Sequence, residues 1–406
     1  MDNTEFKKYM KRAVRLAERG TGRTLPNPLV GALIVKDGRI IGEGYHENYG
    51  GLHAERNALA NASEDVRGAD MYVTLEPCAH HGKTPPCTEA IIESGIRRVF
   101  IGSQDPNPKV SGRGIKVLED AGIEVHTGIL KEECDEINRI FFRHITSGKP
   151  YLMMKYAMSA DGKIATHTGD SKWISSDRSR ELVHQMRNEY PAIMAGIGTV
   201  LKDDPRLTCR ISDGTDPLRI ICDSSLRLPL TSSLVATAGE VPVFAVCACR
   251  GYDNGILAKA VLTKEDRGNY IKRYDRLVTD IPKPRTDGLN QDISERMDKL
   301  SEHGVGIINA CGKDGKTDIN ELMRILGRSG VAGVLLEGGG ELNFSALEVG
   351  AVSEVNVFVG SKLIGGQAKT PVGGEGAEHM ADAFKLKLAG CSIEGDDVWL
   401  KYYMQD

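Results

Sequence analysis

Apolar residues recur at helical spacing from Phe6 through Met10, Ala13, Val14 and Ala17, and Gly20 stops the run. Beyond the loop Leu25-Pro26-Asn27-Pro28 the period shortens. Two apolar runs, Leu29 to Val35 and Arg39 to Gly44, join across Lys36-Asp37-Gly38, which predicts a hairpin. The pattern then alternates. Helix is expected over His53 to Asn61, strand over Met71 to Leu75, and helix over Thr88 to Ser94, ended by Gly95. A strand over Arg98 to Gly102, a helix over Gly114 to Ala121 and a strand over Ile123 to Gly128 follow. Such alternation predicts a sheet between helix layers, an α/β fold. A long amphipathic helix, Lys131 to Thr146, carries Ile137, Ile140, Phe141 and Ile145 on one side. It runs into Ser147-Gly148-Lys149-Pro150, where Gly ends a helix and Pro forbids continuing one. The chain is expected to divide there, into residues 1–147 and 148–406.

The second part opens with a strand, Tyr151 to Met158, then a helix containing His184 and Arg187 and a strand from Ala192 to Gly196. Later a strand over Gly330 to Leu336 breaks into Glu337-Gly338-Gly339-Gly340, with a helix from Glu341. Strand, glycines and helix start can bring bare backbone N–H groups to an anion, although the same letters also spell a plain tight turn. From Gly251 to Gln291 the chain is rich in Lys, Arg and Asp, carries Pro282 and Pro284 and shows no sustained period. That stretch reads as a surface insert. A helix resumes from Asp292 to His303, followed by a strand from Val305 to Ala310.

Composition bounds the function classes. At 406 residues the chain suits two or three domains, and 40% apolar with 27% charged residues describes an ordinary globular protein. A net charge of -4 argues against a broad electrostatic footprint for nucleic acid. No apolar stretch approaches membrane-spanning length, so no membrane partner is expected. Nine cysteines, an odd count scattered along a long chain, do not suggest a disulfide framework. Met1 to Phe6 lacks a basic and apolar leader pattern, and a cytoplasmic location is expected.

Chemistry concentrates between residues 51 and 89. His53, Cys78 and Cys87 offer donors suited to zinc, and three protein ligands leave a fourth position open for water. Glu55 follows His53 by two residues, a spacing that does not share a helical face, so it need not be a ligand. Near a helix start it is placed to move a proton instead. Taken singly, the two cysteines could be buried thiols and His53 a core histidine. Together, His-x-Glu and Pro-Cys match the signature of zinc nucleobase deaminases, except that eight residues, not two, separate the cysteines.

That longer loop is the informative departure. Thr74-Leu75-Glu76-Pro77-Cys78-Ala79-His80-His81-Gly82-Lys83-Thr84-Pro85-Pro86-Cys87 resembles the hallmark of the bifunctional riboflavin-biosynthesis deaminase/reductase family. Lys155-x-Ala157-Met158-Ser159-x-Asp161-Gly162, Ser171-x-Trp173-Ile174, Gly198-Thr199-Val200, Asp203-Asp204-Pro205-x-Leu207-Thr208 and Glu337-Gly338-Gly339 resemble its reductase half, in order. Ala160 stands where that family usually has Leu.

The resemblance implies a cytidine-deaminase-like αβα sandwich followed by a dihydrofolate-reductase-like α/β domain. It implies zinc on His53, Cys78 and Cys87, with Glu55 as the catalytic proton carrier. Asn27, in an Asn-Pro-x-Val-Gly stretch, would lie near the substrate's ribose, and is otherwise a turn asparagine. His80 and Lys83 could meet a phosphate or simply be solvated. In the second half Ala157, Trp173, Thr199, Asp203, Ser224 and Gly339, Gly340, Glu341, Leu342, Asn343, Phe344 and Ser345 would contact NADPH. Ser171, Arg187, Leu207, Arg210 and Glu337 would contact the phosphoribosyl substrate. The implied substrates are phosphoribosylaminopyrimidines, and a homo-oligomer is expected. Two other readings stay open: a nucleoside or tRNA deaminase with an accessory domain, and a catalytically silent scaffold.

Overall fold

The computed structural model describes residues 3–80, 85–107, 110–263, 268–279 and 291–405. The chain forms two compact units, Met1–Gly148 and Lys149–Asp406. Gly148 takes φ 68° at the end of the last helix of the first unit, a left-handed cap that favours glycine.

The first unit opens with α1, Asn3–Glu18, and the hairpin β1, Gly31–Lys36, and β2, Arg39–Tyr45. Lys36 pairs with Arg39 across Asp37 and Gly38, both at positive φ, as the tight two-residue turn requires. Then follow α2, Ala54–Ala60; β3, Asp70–Leu75; α3, Cys87–Glu93; β4, Arg98–Ser103; α4, Arg113–Asp120; and β5, Glu124–Thr127. The sheet order is β2-β1-β3-β4-β5, antiparallel at the hairpin and parallel from β3 to β5. Alternate strand residues feed two cores, which is why the strands read as continuous apolar runs. Ala32, Ile34, Met71, Val73, Val99 and Ile101 meet α2, α3 and α4. Leu33, Val35, Tyr72 and Phe100 meet α1 on the opposite face. The sandwich expected from the sequence is therefore present.

The helix expected over Lys131 to Thr146 is two helices, α5, Lys131–Ile137, and α6, Arg139–Ser147. Asn138 breaks it. Its side-chain oxygen accepts from Leu29 N–H at 2.8 Å and its amide donates to Leu29 C=O at 2.9 Å. A side chain that satisfies a neighbouring backbone in this way outweighs helical periodicity.

In the second unit the chain runs β6, Tyr151–Ser159; α7, Asp177–Glu189; β7, Ala192–Gly196; α8, Ile197–Asp203; β8, Leu218–Cys222; α9, Ser233–Ala236; and β9, Val243–Cys247. It continues through β10, Gly255–Ala258; β11, Ala260–Val261; α10, Gly268–Arg273; β12, Val278–Thr279; α11, Gln291–Glu302; and β13, Gly306–Asn309. It ends with α12, Ile319–Arg328; β14, Gly333–Leu336; α13, Gly340–Glu348; β15, Val352–Gly360; β16, Leu386–Glu394; and β17, Asp397–Met404. The sheet order is β10-β13-β9-β8-β7-β14-β6-β15-β17-β16. Every neighbouring pair from β13 to β15 is parallel, so the carboxyl ends of those strands line one edge.

The segment 251–291, expected as a surface insert, is not wholly at the surface. Leu262, Tyr274, Leu277 and Val278 are buried in the main core of this unit, and β11 pairs with β12. Buried apolar residues spread without a period hold that part of it in the core. Residues 264–267 and 280–290 of that stretch lie outside the described residues.

Candidate active sites

His53 is the N-cap residue of α2 and Cys87 is the first residue of α3, while Cys78 follows β3 by three residues. Two helix starts and one strand end thus converge. His53 Nδ1 lies 3.6 Å from Cys78 Sγ and 3.3 Å from Cys87 Sγ, and all three donor atoms lie within 4.8 Å of one another. Bonds of about 2.0 Å to nitrogen and 2.3 Å to sulfur at a tetrahedral angle put donors roughly 3.6 Å apart, so the trio fits zinc. Among the described residues this is the group of His, Cys, Asp or Glu side chains arranged to hold a metal ion.

The electrostatics agree with that donor set. The hydrogen bond from Cys87, together with His53, pulls the Cys78 thiol well down against its burial. Cys87, sharing that bond and buried, is pushed up. Only a cation among them lets both thiols ionise together. The hydrogen bond to Cys78 raises His53, while burial opposes it. Cys87 N–H donates to Cys78 Sγ at 3.4 Å, and Arg56 donates to the carbonyls of Pro85 and Pro86 just before Cys87.

Glu55 lies in the first turn of α2, 3% exposed, outside the metal-ligating group, and burial raises its pKa. It lines a cavity of about 320 Å³ together with His53, Cys78, Asn27, His46, His80, Asp105 and Asn107. Asn27 Nδ2 is 3.2 Å from His46 Nε2, and His46 Nδ1 is 2.9 Å from Leu52 O. Since Leu52 O can only accept, the ring carries its proton on Nδ1 and accepts from Asn27. His46, Asp105 and Asn107 were not singled out from the sequence. His46 sits one residue past β2, and the other two follow β4, so only the fold brings them to the cavity. Lys83 lies outside the described residues.

In the second unit a bidentate ion pair joins Arg187 of α7 to Glu337, just past β14, at 2.7 and 3.0 Å. Arg187 also donates to Thr208 O at 3.1 Å, which brings it beside buried Leu207. Lys155 of β6, missed as a site residue, lies 4.0 Å from Glu337. Burial alone would raise Glu337, but Arg187 and Lys155 overcome it and hold the carboxyl at about 2. Burial lowers Lys155.

Glu337, Gly339 and Gly340 lead into α13, and Thr199 and Asp203 lie in α8, which follows the neighbouring strand β7. Ala157 lies near the end of β6, on the other side of β14. These groups share the edge of the sheet where α/β folds place ligands. Ser224, two residues past β8, exchanges a 3.0 Å hydrogen bond with Thr317. Trp173 is 59% exposed under the Arg180 guanidinium, 4.5 Å from its ring centroid. Ser171 is half-buried, and Arg210, Asp203 and Glu341 are exposed. Asn343 turns inward, fully buried, and donates to Pro371 O at 2.8 Å. Ser345 likewise bonds within its own helix, to Glu341 O. Leu342, in the first turn of α13, stands where a Cβ on Gly196 would meet it at 3.8 Å. Phe344 packs edge-on to Phe384, with ring centroids 6.2 Å apart.

A His–Cys–Cys group fit to hold zinc, beside a buried glutamate on an αβα sandwich, is the arrangement of a zinc-dependent deaminase, and the second unit is a parallel-sheet α/β fold. Residues 3–103 match the cytidine and deoxycytidylate deaminase zinc-binding region, and residues 150–400 match the RibD C-terminal domain. A riboflavin biosynthesis protein RibD from Actinobacillus pleuropneumoniae is 46% identical, over 97% of this chain and 94% of that protein. One from Bacillus amyloliquefaciens is 39% identical, over 98% of this chain and 96% of that protein.

A crystal structure of a diaminohydroxyphosphoribosylaminopyrimidine deaminase/5-amino-6-(5-phosphoribosylamino)uracil reductase from Thermotoga maritima has a TM-score of 0.80 at 35% identity, covering 99% of both chains. Acinetobacter baumannii RibD gives 0.81 at 31%, covering 100% of both. The chain belongs to the RibD family of riboflavin biosynthesis proteins. It is a bifunctional enzyme, a hydrolytic deaminase and a reductase, with zinc and NADPH as cofactors. No helix among the described residues is long and apolar enough to cross a membrane.

Proposed function

We propose that residues 1–147 hydrolyse the exocyclic amine at C2 of 2,5-diamino-6-(5-phosphoribosylamino)pyrimidin-4(3H)-one, and that residues 148–406 reduce the ribosyl group of the resulting 5-amino-6-(5-phosphoribosylamino)uracil to ribityl. The observation that carries this reading is the convergence of His53, Cys78 and Cys87, with His53, Cys78 and buried Glu55 lining one cavity. Zinc held by those three residues would supply the Lewis acidity that brings a water molecule's pKa towards neutrality. Glu55, with its raised pKa, takes one proton from water and gives it to the ring, then takes the second from the new hydroxyl group and gives it to the departing amine, which leaves as ammonia. Asn27, oriented by His46, faces the ribose, while Asp105 and Asn107 supply polar wall for the pyrimidine.

In the second unit NADPH would supply hydride to C1′, and the protein's part is to hold and orient. Ala157, Trp173, Thr199, Asp203, Ser224 and the run Gly339 to Ser345 form the cofactor side, with Asn343 and Ser345 contributing through the backbone they brace. Ser171, Arg187, Leu207, Arg210 and Glu337 form the substrate side, where the Arg187–Glu337 pair fixes both groups. Self-association and a cytoplasmic location complete the proposal, and light scattering and cell fractionation test them.

The decisive experiment supplies the diaminopyrimidinone substrate with and without NADPH and identifies products by mass. Deamination alone should appear without NADPH, and the ribityl product with it. Deamination of nucleosides in place of this substrate would reject the assignment. Cys87→Ala should lower zinc content and deaminase rate together, read by metal analysis and ammonia release; full zinc occupancy would remove Cys87 from the ligand set.

A further inference from the structure

Glu76, next but one before Cys78, has no part in the chemistry described so far, yet its side chain is 4% exposed and saturated with donors. Its Oε2 accepts from Asp105 N–H at 3.3 Å and from Gly112 N–H at 3.1 Å. Its Oε1 accepts from Gly114 N–H at 2.9 Å and from Ile115 N–H at 3.4 Å. All four donors belong to the connection between β4 and the start of α4, the connection that carries Asp105 and Asn107 into the cavity. Asp105 then passes the constraint on, since its Oδ1 accepts from Asn107 N–H at 2.8 Å.

The approach is close enough to dictate sequence. A Cβ on Gly114 would stand 2.0 Å from Pro77 O, so only glycine lets α4 start against this strand end. The backbone N–H of Glu76 also donates to Ser103 O at 2.9 Å, which locks the end of β3 to the end of β4. One rigid strand end therefore carries Cys78 on one side and grips the Asp105–Asn107 connection on the other. A buried carboxylate facing four N–H donors is a charge-assisted anchor, and its place at the positive end of α4 adds to it.

We infer that Glu76 is a positioning residue of the deaminase: it holds the Asp105–Asn107 wall at a fixed reach from the metal centre and so sets how tightly the pyrimidine binds. The inference rests on the deaminase reading of this unit. Glu76→Gln keeps the shape but leaves one acceptor oxygen, so two of the four donors lose their partner. KM for the pyrimidine should rise roughly tenfold, the size expected for lost hydrogen bonds to a charged group, with kcat within about threefold. Zinc content and reductase rate should not change. Amide hydrogen exchange across residues 104–116 should accelerate in the variant while peptides of the second unit stay as they were.

The effect should also depend on the wall it positions. In an Asn107→Ala background, Glu76→Gln should add much less to KM than it does alone, because neighbours acting through one another are not additive. An unchanged KM, additive effects, unaltered exchange over 104–116, or loss of zinc and helical signal would each overturn the inference, the last by making Glu76 a general support of the fold. Should the zinc-loaded natural protein itself fail to deaminate, the deaminase reading falls, and the exchange measurement still decides whether Glu76 holds the connection.

Discussion

Glu55 loses nearly all contact with solvent at the first turn of α2, and burial raises its pKa. Glu337 is less enclosed, its side chain 15% exposed, and faces Arg187 and Lys155, which hold it at about 2 against its burial. One carboxyl is thereby suited to carry a proton and the other to stay charged. Glu55→Gln should keep zinc, measured by metal analysis, and lose deamination by about a hundredfold or more, the usual worth of general acid–base catalysis. If zinc left instead, Glu55 would be a ligand.

Glu337 contributes stability that is fully present above its unfolded value of 4.5 and drains away as pH falls towards about 2. A tenfold change in proton affinity is worth about 1.36 kcal/mol, so the contribution is on the order of 3 kcal/mol. Glu337→Gln, which leaves Arg187 without its buried partner, should be less stable at neutral pH by a few kcal/mol. That gap should narrow between pH 4.5 and 2 in denaturant titrations of the two proteins. A gap constant over that range would mean that the pair is not what depresses the carboxyl. The His-x-Glu spacing singled out Glu55 and motif order singled out Glu337, but their opposite environments were not legible, because depth and partners come from distant segments.

The turn after β14 shows how much a local pattern discloses. Leu336 to Glu341 was legible as strand, glycines and helix start, and the structure has that arrangement. The glycines differ in their reasons. A Cβ on Gly340 would meet Gly373 N and Thr370 O at 3.0 Å, whereas one on Gly339 meets nothing within 4 Å. Gly340 is thus closely approached by the protein's own backbone, and Gly339, at φ -80°, is free of clash and of backbone strain. Gly339→Val should therefore leave thermal stability within about 0.5 kcal/mol and still weaken NADPH binding, because the new side chain stands where the cofactor would approach. Calorimetry of NADPH binding beside a melting curve checks both halves. Periodicity was less reliable where a single polar side chain intervened, as at Asn138, and where burial rested on scattered anchors such as Tyr274 and Leu277.

His53, Cys78 and Cys87, the group that could hold a metal ion, lie within Met1–Gly148, and the glycine-rich turn lies within Lys149–Asp406. Gly339→Val should deaminate at near the normal rate and accumulate the deaminated, still ribosylated compound, read by mass. Glu55→Gln should oxidise NADPH when given that compound directly. Loss of deamination in folded, zinc-loaded Gly339→Val would show the sites to be coupled. Gly148 and Pro150 mark a break that is written locally, because Gly ends a helix and Pro cannot continue one. The cavity wall at His46, Asp105 and Asn107 was not legible, because it is assembled from the ends of β2 and β4, and strand order is not written in any one segment.

His53 and Cys87 are 34 positions apart, and a metal ion bridging them closes that stretch into a ring. Ring closure removes freedom from the unfolded chain only if the ion stays bound there; otherwise the ion simply favours the folded form by mass action. Either way, zinc acts as a thermal clamp on one half of the molecule. At free zinc a thousandfold above its dissociation constant, the first unit gains about 4 kcal/mol over the stripped protein. None of the three zinc-suited side chains lies in the second unit. A strong chelator should therefore split one melting curve into two, lowering the transition reported by α1–α6 and leaving that of the NADPH-binding half in place.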